Sequence, residues 1–586
     1  MDDLSLSINQ EKKIFFASIE AKIEENKKKL SEEPGNILIL KELASLSGSV
    51  GMYDLSVYFS YEVLNYEPNS RSAILECIQY LLLNGQELEA KELIQNILKK
   101  NITDKNNNNP KEIVQLIHII SKVFGDKETA LVLAEKEIKK SPADKILMIL
   151  DSHLNQSFYG NMKKSRNILS KIIKKFSMEL PVLDQWINLY IRTESIKTLR
   201  LCKIFDRKYS EFKNVINKKI FLAYSFLGQK KDAEKYLNEI DNNIEFMFHK
   251  ISMHPDSIKE LNIHELLKDF ERNLLYAESF NFTKFNYPLA LLSFVISKKY
   301  KSLNIYEKKN YFLDLAHKSI FKHHYYSEKN VLAIQSEMPD TLSKMSEIAE
   351  KKLQRIGLRK DLVSPIFIIG LPRSGSSLIE KIISDTKEII PFGECQIVKK
   401  LIYNLTIKNS SPSLIELYKD EFKFLTNKQR FVDKTLNNFP FVSLILKSFP
   451  NAKFINCKRD SKENALAIYN ILFDTIPWTH TMENILNYMD EYYKTMDKLN
   501  KKFSSNIYNI YHQDLVENPQ NEVSKLFKFL KIKYDPEVLN NKNNSLQVFT
   551  ASNWQVREKI SSKFLKKYTK DYYMLNKFSG SYSWLK

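Results

Sequence analysis

Along most of the chain, apolar residues recur three and four positions apart, the spacing that lines one face of a helix. Past about residue 364 the texture changes. Short continuous apolar runs, "PIFIIG", "RFVDK" from 430, "KFINC" from 453 and "NIYNIY" from 506, alternate with helical stretches such as "FVSLILKSF" and "ENALAIYNILF". Continuous apolar strands are buried on both faces, so this order predicts a parallel sheet in an α/β domain. Residues 251–355 keep the helical period, and the basic, polar "LRKDLVS" at 358–364 marks the boundary.

The helical half carries a period. Gly51 to Gly85 is 34 residues, Gly125 to Gly160 is 35, and Gly160 to Gly228 is 68, twice 34. The gap of 40 from Gly85 to Gly125 contains the loop insertion "DKNNNNP". Ala90, Ala130 and Ala233 each follow a glycine by five positions, and Pro68 and Pro142 close second helices. Glycine turns the chain after a first helix, a small residue lets the second pack close, and proline ends it. This resembles the tetratricopeptide repeat, with five or six units between about 35 and 250. The expected fold is an α-helical solenoid of tetratricopeptide-like repeats followed by an α/β P-loop-like domain with a parallel sheet. Its divisions are a helical lead-in over 1–34, repeats over 35–250, a helical connector over 251–360 and the α/β domain over 361–586.

Composition narrows the class. At 586 residues the chain is too long for one compact core. The N-terminus "MDDLSLSINQEKK" lacks the apolar core of a signal peptide, and "PLALLSFVI" from 288 is too short to cross a bilayer. Cys77, Cys202, Cys395 and Cys457 are scattered without framework spacing, which suits a reducing cytoplasm. The net charge of +19 favours anionic partners, and eight Lys/Arg against two acids lie between 556 and 586. No groove-reading pattern accompanies that charge, so nucleic acid is not expected. No Asp/His cluster has ligand spacing, so no metal is expected.

Chemistry concentrates in "SPIFIIGLPRSGSSLIEKIIS", residues 364–384. Gly370 through Ser377 fits the G-x-x-x-x-G-x-S spacing of a nucleotide P-loop, with Ser376 where such loops carry lysine. Glycines let backbone N–H groups converge on an anion, and the following helix adds its positive end. Arg373 supplies the charge, with a planar fork for an oxyanion. The absent lysine argues against an ordinary kinase or NTPase.

The P-R-S-G-S-S loop after a strand resembles the 5′-phosphosulfate loop of sulfotransferases that use 3′-phosphoadenosine 5′-phosphosulfate (PAPS). The nearest likeness is to the tyrosylprotein sulfotransferase branch and to bacterial proteins fusing tetratricopeptide repeats to such a domain, over about 364–570. Further pieces follow in order. "FGECQI" resembles the element whose glutamate is the family's general base, which implies that role for Glu394. "VDKT" places Lys434 where the family has a catalytic lysine. "FPNAKFINCKRDSKENALAIYNILF" resembles the 3′-phosphate segment and implies Arg459 as the phosphate ligand. "IYHQDLVENP" resembles a further element, with His512 in place of the usual tyrosine. "FTASNWQVREKISS" is similar to the cofactor-covering loop, implying Ser552, Gln555 and Val556. Within the loop the resemblance implies Arg373, Ser374, Gly375, Ser376 and Ser377 as cofactor contacts. The family's second 3′-phosphate serine is replaced by Ala467, and Lys458 and the basic tail are the candidate substitutes.

The resemblance implies sulfuryl transfer to an acceptor hydroxyl, on a peptide or protein if the repeats present one, with PAP (adenosine 3′,5′-bisphosphate) as product and no metal. Glu394 is the expected base, and Arg373 and Lys434 stabilise charge. His480 and His512 are the fallback bases. The alternative is a repeat-based interaction scaffold whose nucleotide-binding domain is inactive.

Overall fold

The computed structural model describes residues 2–585 apart from 101–108, 160–161, 177–179, 192–194, 209, 241–242, 280–282, 327–329, 357–363, 387, 407, 409, 423–429, 475, 540–556, 558–559 and 563–564. The fold is a tetratricopeptide-like array of helix pairs followed by an α/β domain. Contacts divide the chain into two compact units. One comprises 1–133, 242–336 and 472–480; the other comprises 134–241, 337–471 and 481–586.

The periodic glycines do what their spacing predicts. Gly51 separates helices Ile37–Ser49 and Tyr53–Tyr66, and Gly85 separates Arg71–Leu83 from Glu87–Lys100. Gly85 has φ +76° and Gly51 φ +79°, the left-handed region that glycine occupies without penalty. Gly160 lies outside the described residues. Ala90, Ala130 and Ala233 are all fully buried where the paired helices meet. Serine takes the same place in other pairs. Ser56 is fully buried, and Ser165 hydrogen-bonds Ser152 at 2.6 Å between helices Lys145–Tyr159 and Met162–Lys175.

In the first unit, the apolar run from 288 belongs to helix Thr283–Ser302, whose Leu289, Leu292, Val295 and Ile296 enter a core with Phe270 and Phe312. No described helix is long and apolar enough to cross a membrane.

In the second unit, five parallel strands form one sheet: β1 Ile366–Gly370, β2 Ile389–Pro391, β3 Arg430–Asp433, β4 Lys453–Lys458 and β5 Ile507–Tyr511, in the order β2-β3-β1-β4-β5. β1 is buried throughout. Helices Ser376–Ser384 and Pro519–Leu530 cover one face, with Ile379, Ile382, Ile383, Leu526 and Phe527 packing on Ile366, Ile368 and Ile455. Toward the other face Phe367 stacks on Phe454 at 5.3 Å, and Tyr492 of helix Met482–Lys502 donates to Asn456 at 2.6 Å. β2 is the strand the pattern misses. It is three residues long at the sheet edge and ends in proline, which edge strands tolerate.

Gly85→Ala is expected to cost about 1 kcal/mol through the left-handed dihedral alone, because nothing lies within 4 Å of the new methyl. Ala90→Leu should cost more, about 1–3 kcal/mol, by overpacking. Thermal unfolding midpoints of the two variants test that ranking.

Candidate active site

A parallel sheet delivers every strand's carboxyl end to the same edge, where open α/β folds bind ligands. The residues that follow β1, β2, β3, β4 and β5 there include Arg373, Glu394, Lys434, Arg459 and His512 respectively.

β1 ends against its neighbour. A Cβ on Gly370 would lie 2.7 Å from the Cys457 carbonyl oxygen of β4, so only glycine fits this approach. The loop then turns with Arg373 at φ +64° and Gly375 at φ +95°, and Gly375 caps helix Ser376–Ser384. Its carbonyls are held in succession. Ser374 Oγ donates to the Leu371 oxygen at 2.7 Å, Asn464 Nδ2 to the Pro372 oxygen at 2.8 Å, and Arg459 Nη1 to the Arg373 oxygen at 3.2 Å. In a planar trans peptide the N–H points opposite its C=O. Anchoring the oxygens of 372 and 373 therefore turns the N–H groups of Arg373 and Ser374 away from Asn464 and Arg459. Asn464 is 1% exposed and its part in shaping the loop escaped sequence reasoning. The only signal is a polar residue in the apolar "ENALAIY" run.

On the other side of β1, Lys434 Nζ donates to Glu394 Oε1 at 2.7 Å and lies 3.9 Å from Glu380 Oε2. Lys434 is 1% exposed and Glu380 4%, whereas the Glu394 side chain is 47% exposed. Carboxylate and ammonium thus meet, with the carboxylate open to solvent. Burial alone would lower the Lys434 ammonium, but Glu394 and Glu380 together raise it, so it stays charged. Burial pushes the Glu380 carboxyl up to about 7, against the opposing pull of Lys434. Backbone bonds join the pieces: Gly393 N–H donates to Glu380 Oε1 at 3.1 Å, and Lys434 N–H to the Gly393 oxygen at 2.9 Å.

Asp433 has a structural part. Fully buried, its carboxylate accepts from Tyr418 Oη at 2.5 Å, Cys395 Sγ at 3.2 Å and the Thr435 N–H at 2.8 Å. These bonds pin Cys395, the neighbour of Glu394, to the end of β3.

Beyond β4, Arg459 Nη2 pairs with Glu463 at 3.2 Å. Glu463 also accepts the backbone N–H groups of Lys567 and Tyr568, both at 3.0 Å, so the C-terminal segment is docked on the residue that holds Arg459. Ser552, Gln555 and Val556 lie outside the described residues. Ala467 is fully buried in helix Ser461–Tyr469, and Lys458 sits 4.9 Å from the centre of the Tyr511 ring.

Neither fallback histidine is a strong base here. Burial, Arg459 and Arg373 push His512 down to about 4, leaving it neutral and weakly basic at pH 7. Its Nδ1 is buried with no hydrogen-bond partner among the described residues, and its ring would touch a Cβ at Gly375. His480 belongs to the other unit, where its Nδ1 lies 3.1 Å from that of His317. Among the described residues no cluster of three or more His, Cys, Asp or Glu has a metal-binding arrangement.

All four cysteines are free thiols. Burial and the adjacent Asp433 carboxylate push the Cys395 thiol well above its usual range. Native Cys395 should therefore alkylate with iodoacetamide at pH 8 roughly tenfold or more slowly than an open thiol. Asp433→Asn should speed the reaction, as read by mass spectrometry.

Residues 410–536 match the family model described as "Sulfotransferase family", a span that holds Lys434, Arg459 and His512 and begins after the loop and Glu394. Over 222 residues the chain is 31% identical to an uncharacterized protein of Aquifex aeolicus, covering 33% of this chain and 29% of that protein. It thus spans less than a third of that relative's length. A Caenorhabditis briggsae protein named "Putative protein-tyrosine sulfotransferase" is 22% identical over 226 residues, covering 34% of this chain and 79% of that one. The solved structure of sulfotransferase STF1 from Mycobacterium tuberculosis aligns with 51% of this chain and 96% of its own, at 11% identity and a TM-score of 0.24. The C-terminal region of this chain contains a sulfotransferase-family domain.

Proposed function

We propose that the protein is a PAPS-dependent sulfotransferase acting on an acceptor hydroxyl, with Glu394 as general base. The observation that carries this is the Glu394–Lys434 pair at 2.7 Å, set at the same sheet edge as the P-R-S-G loop. The residues present suit a nucleotide with anionic groups at both its 5′ and 3′ ends: the glycine-bearing loop, Arg373, Arg459 and the buried Nδ1 of His512, which has no hydrogen-bond partner among the described residues. PAPS supplies the sulfuryl group on a phosphate leaving group.

The chain's own residues do the rest. The loop amides of 373–377, at a helix N-terminus, bind the 5′ end, and Arg459 holds the 3′-phosphate. Ser552, Gln555 and Val556 are proposed to cover the nucleotide. Glu394, open to solvent beside Lys434, accepts the acceptor's proton. Lys434 and Arg373 stabilise negative charge as it shifts to the leaving phosphate.

For the acceptor, the name of the Caenorhabditis relative points to a tyrosyl hydroxyl, and helix-pair arrays present concave surfaces suited to a peptide or protein. Cytoplasmic placement is the matching proposal, consistent with the free thiols.

Calorimetry of PAP against ATP tests the donor. PAP should bind and ATP should not compete, and Arg373→Ala should abolish binding; a preference for ATP overturns the reading. Glu394→Gln should leave PAP affinity unchanged and slow transfer from labelled PAPS by about 10²–10⁴-fold.

A further inference from the structure

The phosphate loop's helix carries an acid one turn after Ser376 that no step above uses. Glu380 sits among Ile379, Ile382 and Ile383, on the face that packs against the sheet, and is 4% exposed. A carboxylate placed there is costly unless something answers its charge. Its two oxygens are divided between two tasks. Oε1 accepts the Gly393 N–H at 3.1 Å, one residue before Glu394. Oε2 lies 3.9 Å from Lys434 Nζ, which makes its 2.7 Å bond to Glu394. One buried lysine therefore serves two carboxylates, one exposed and one enclosed.

The consequence appears when the reaction proceeds. On the sulfotransferase reading, on which this inference rests, the acceptor oxygen forms a bond to sulfur as the bond from sulfur to the bridging phosphate oxygen breaks. The acceptor proton moves to Glu394, and the electron pair leaves with the phosphate of PAP. Glu394 is then neutral, and Lys434 loses the partner at 2.7 Å. A 1% exposed ammonium left alone would favour giving up its proton.

We infer that Glu380 is a positioning residue: the standing counter-charge that keeps Lys434 protonated and in place while Glu394 is neutralised by the acceptor's proton. It also ties the base loop to the helix of the phosphate loop through Gly393. Lys434, Glu394 and Asp433 are the charged groups that face it from the neighbouring elements, with the Gly393 N–H. Because burial raises the Glu380 carboxyl to about 7, its charge is complete only above that pH.

The test uses the full chain and a charge-neutral isostere. Glu380→Gln keeps the acceptor for Gly393 N–H but removes the charge. It should leave PAP affinity within about threefold of wild type and lower kcat for PAPS turnover roughly tenfold or more, as expected for one preorganised charge. The wild-type rate should rise through about pH 7, and Glu380→Gln should lose that limb. A purely structural residue would move neither the limb nor its position. The second arm needs no turnover. At pH 8.5, roughly a unit and a half above that ionisation, Glu380→Gln should lower the thermal midpoint when Lys434 is present and raise it in a Lys434→Met background. Additive effects in that cycle, or an unchanged pH limb in Glu380→Gln, overturn the inference. Failure of wild type to bind PAP sinks the sulfotransferase reading instead. In that case the stability cycle still decides whether Glu380 and Lys434 are charge partners.

Discussion

The site depends first on how closely β1 and β4 run at their ends. With no side chain at Gly370, the Cys457 carbonyl comes within 2.7 Å of where a Cβ would sit. That approach sets the loop after β1 beside the segment after β4, near enough for Arg459 and Asn464 to grip the carbonyls of residues 373 and 372. Once those oxygens are held, the direction of the following amides is fixed by peptide planarity. A larger residue at 370 would spread the strands and undo both grips together. The shape of this loop is thus set by backbone approach before any charge is placed near it.

The second constraint is electrostatic. Two carboxylates and one ammonium cluster at the ends of β2 and β3, and two of the three groups are almost fully buried. Such a triad is weak as a stabilising device, since desolvation offsets much of the Coulomb gain. Its merit is directional: it holds a cation in one place with one carboxylate exposed. The Asp433 network beneath it works differently, with every contact a hydrogen bond to a neutral donor, and acts as a rigid floor.

Much of this was legible in the sequence, for identifiable reasons. Glycine spacing predicted the helix turns because a left-handed dihedral admits few other residues, and the buried alanines follow from close helix packing. Four strands stood out as continuous apolar runs; β2 did not, because three residues carry no period. Arg373, Glu394, Lys434 and Arg459 came from local motifs. Glu380 and Asn464 could not, since each looks like an ordinary helical residue until the fold brings Gly393 or Pro372 to it. Lys458, whose charge suggested a phosphate ligand, stands 4.9 Å from the centre of the Tyr511 ring, a contact its sequence neighbours do not announce.

Glu463 joins two distant parts of the chain on one buried carboxylate. Its Oε2 accepts from Arg459 and from the Lys567 amide, and its Oε1 accepts from the Tyr568 amide. Ser461, Asn487 and Asp490 fasten the same segment further along, through Trp584 and Tyr582. Any anion that draws Arg459 toward itself shifts the charge balance at Glu463, and with it the hold on the C-terminal segment. By reciprocity, whatever orders that segment changes anion affinity by the same factor. Whatever binds residues 567–585 and orders them is therefore, in thermodynamic terms, also a ligand of the pocket beside Arg459.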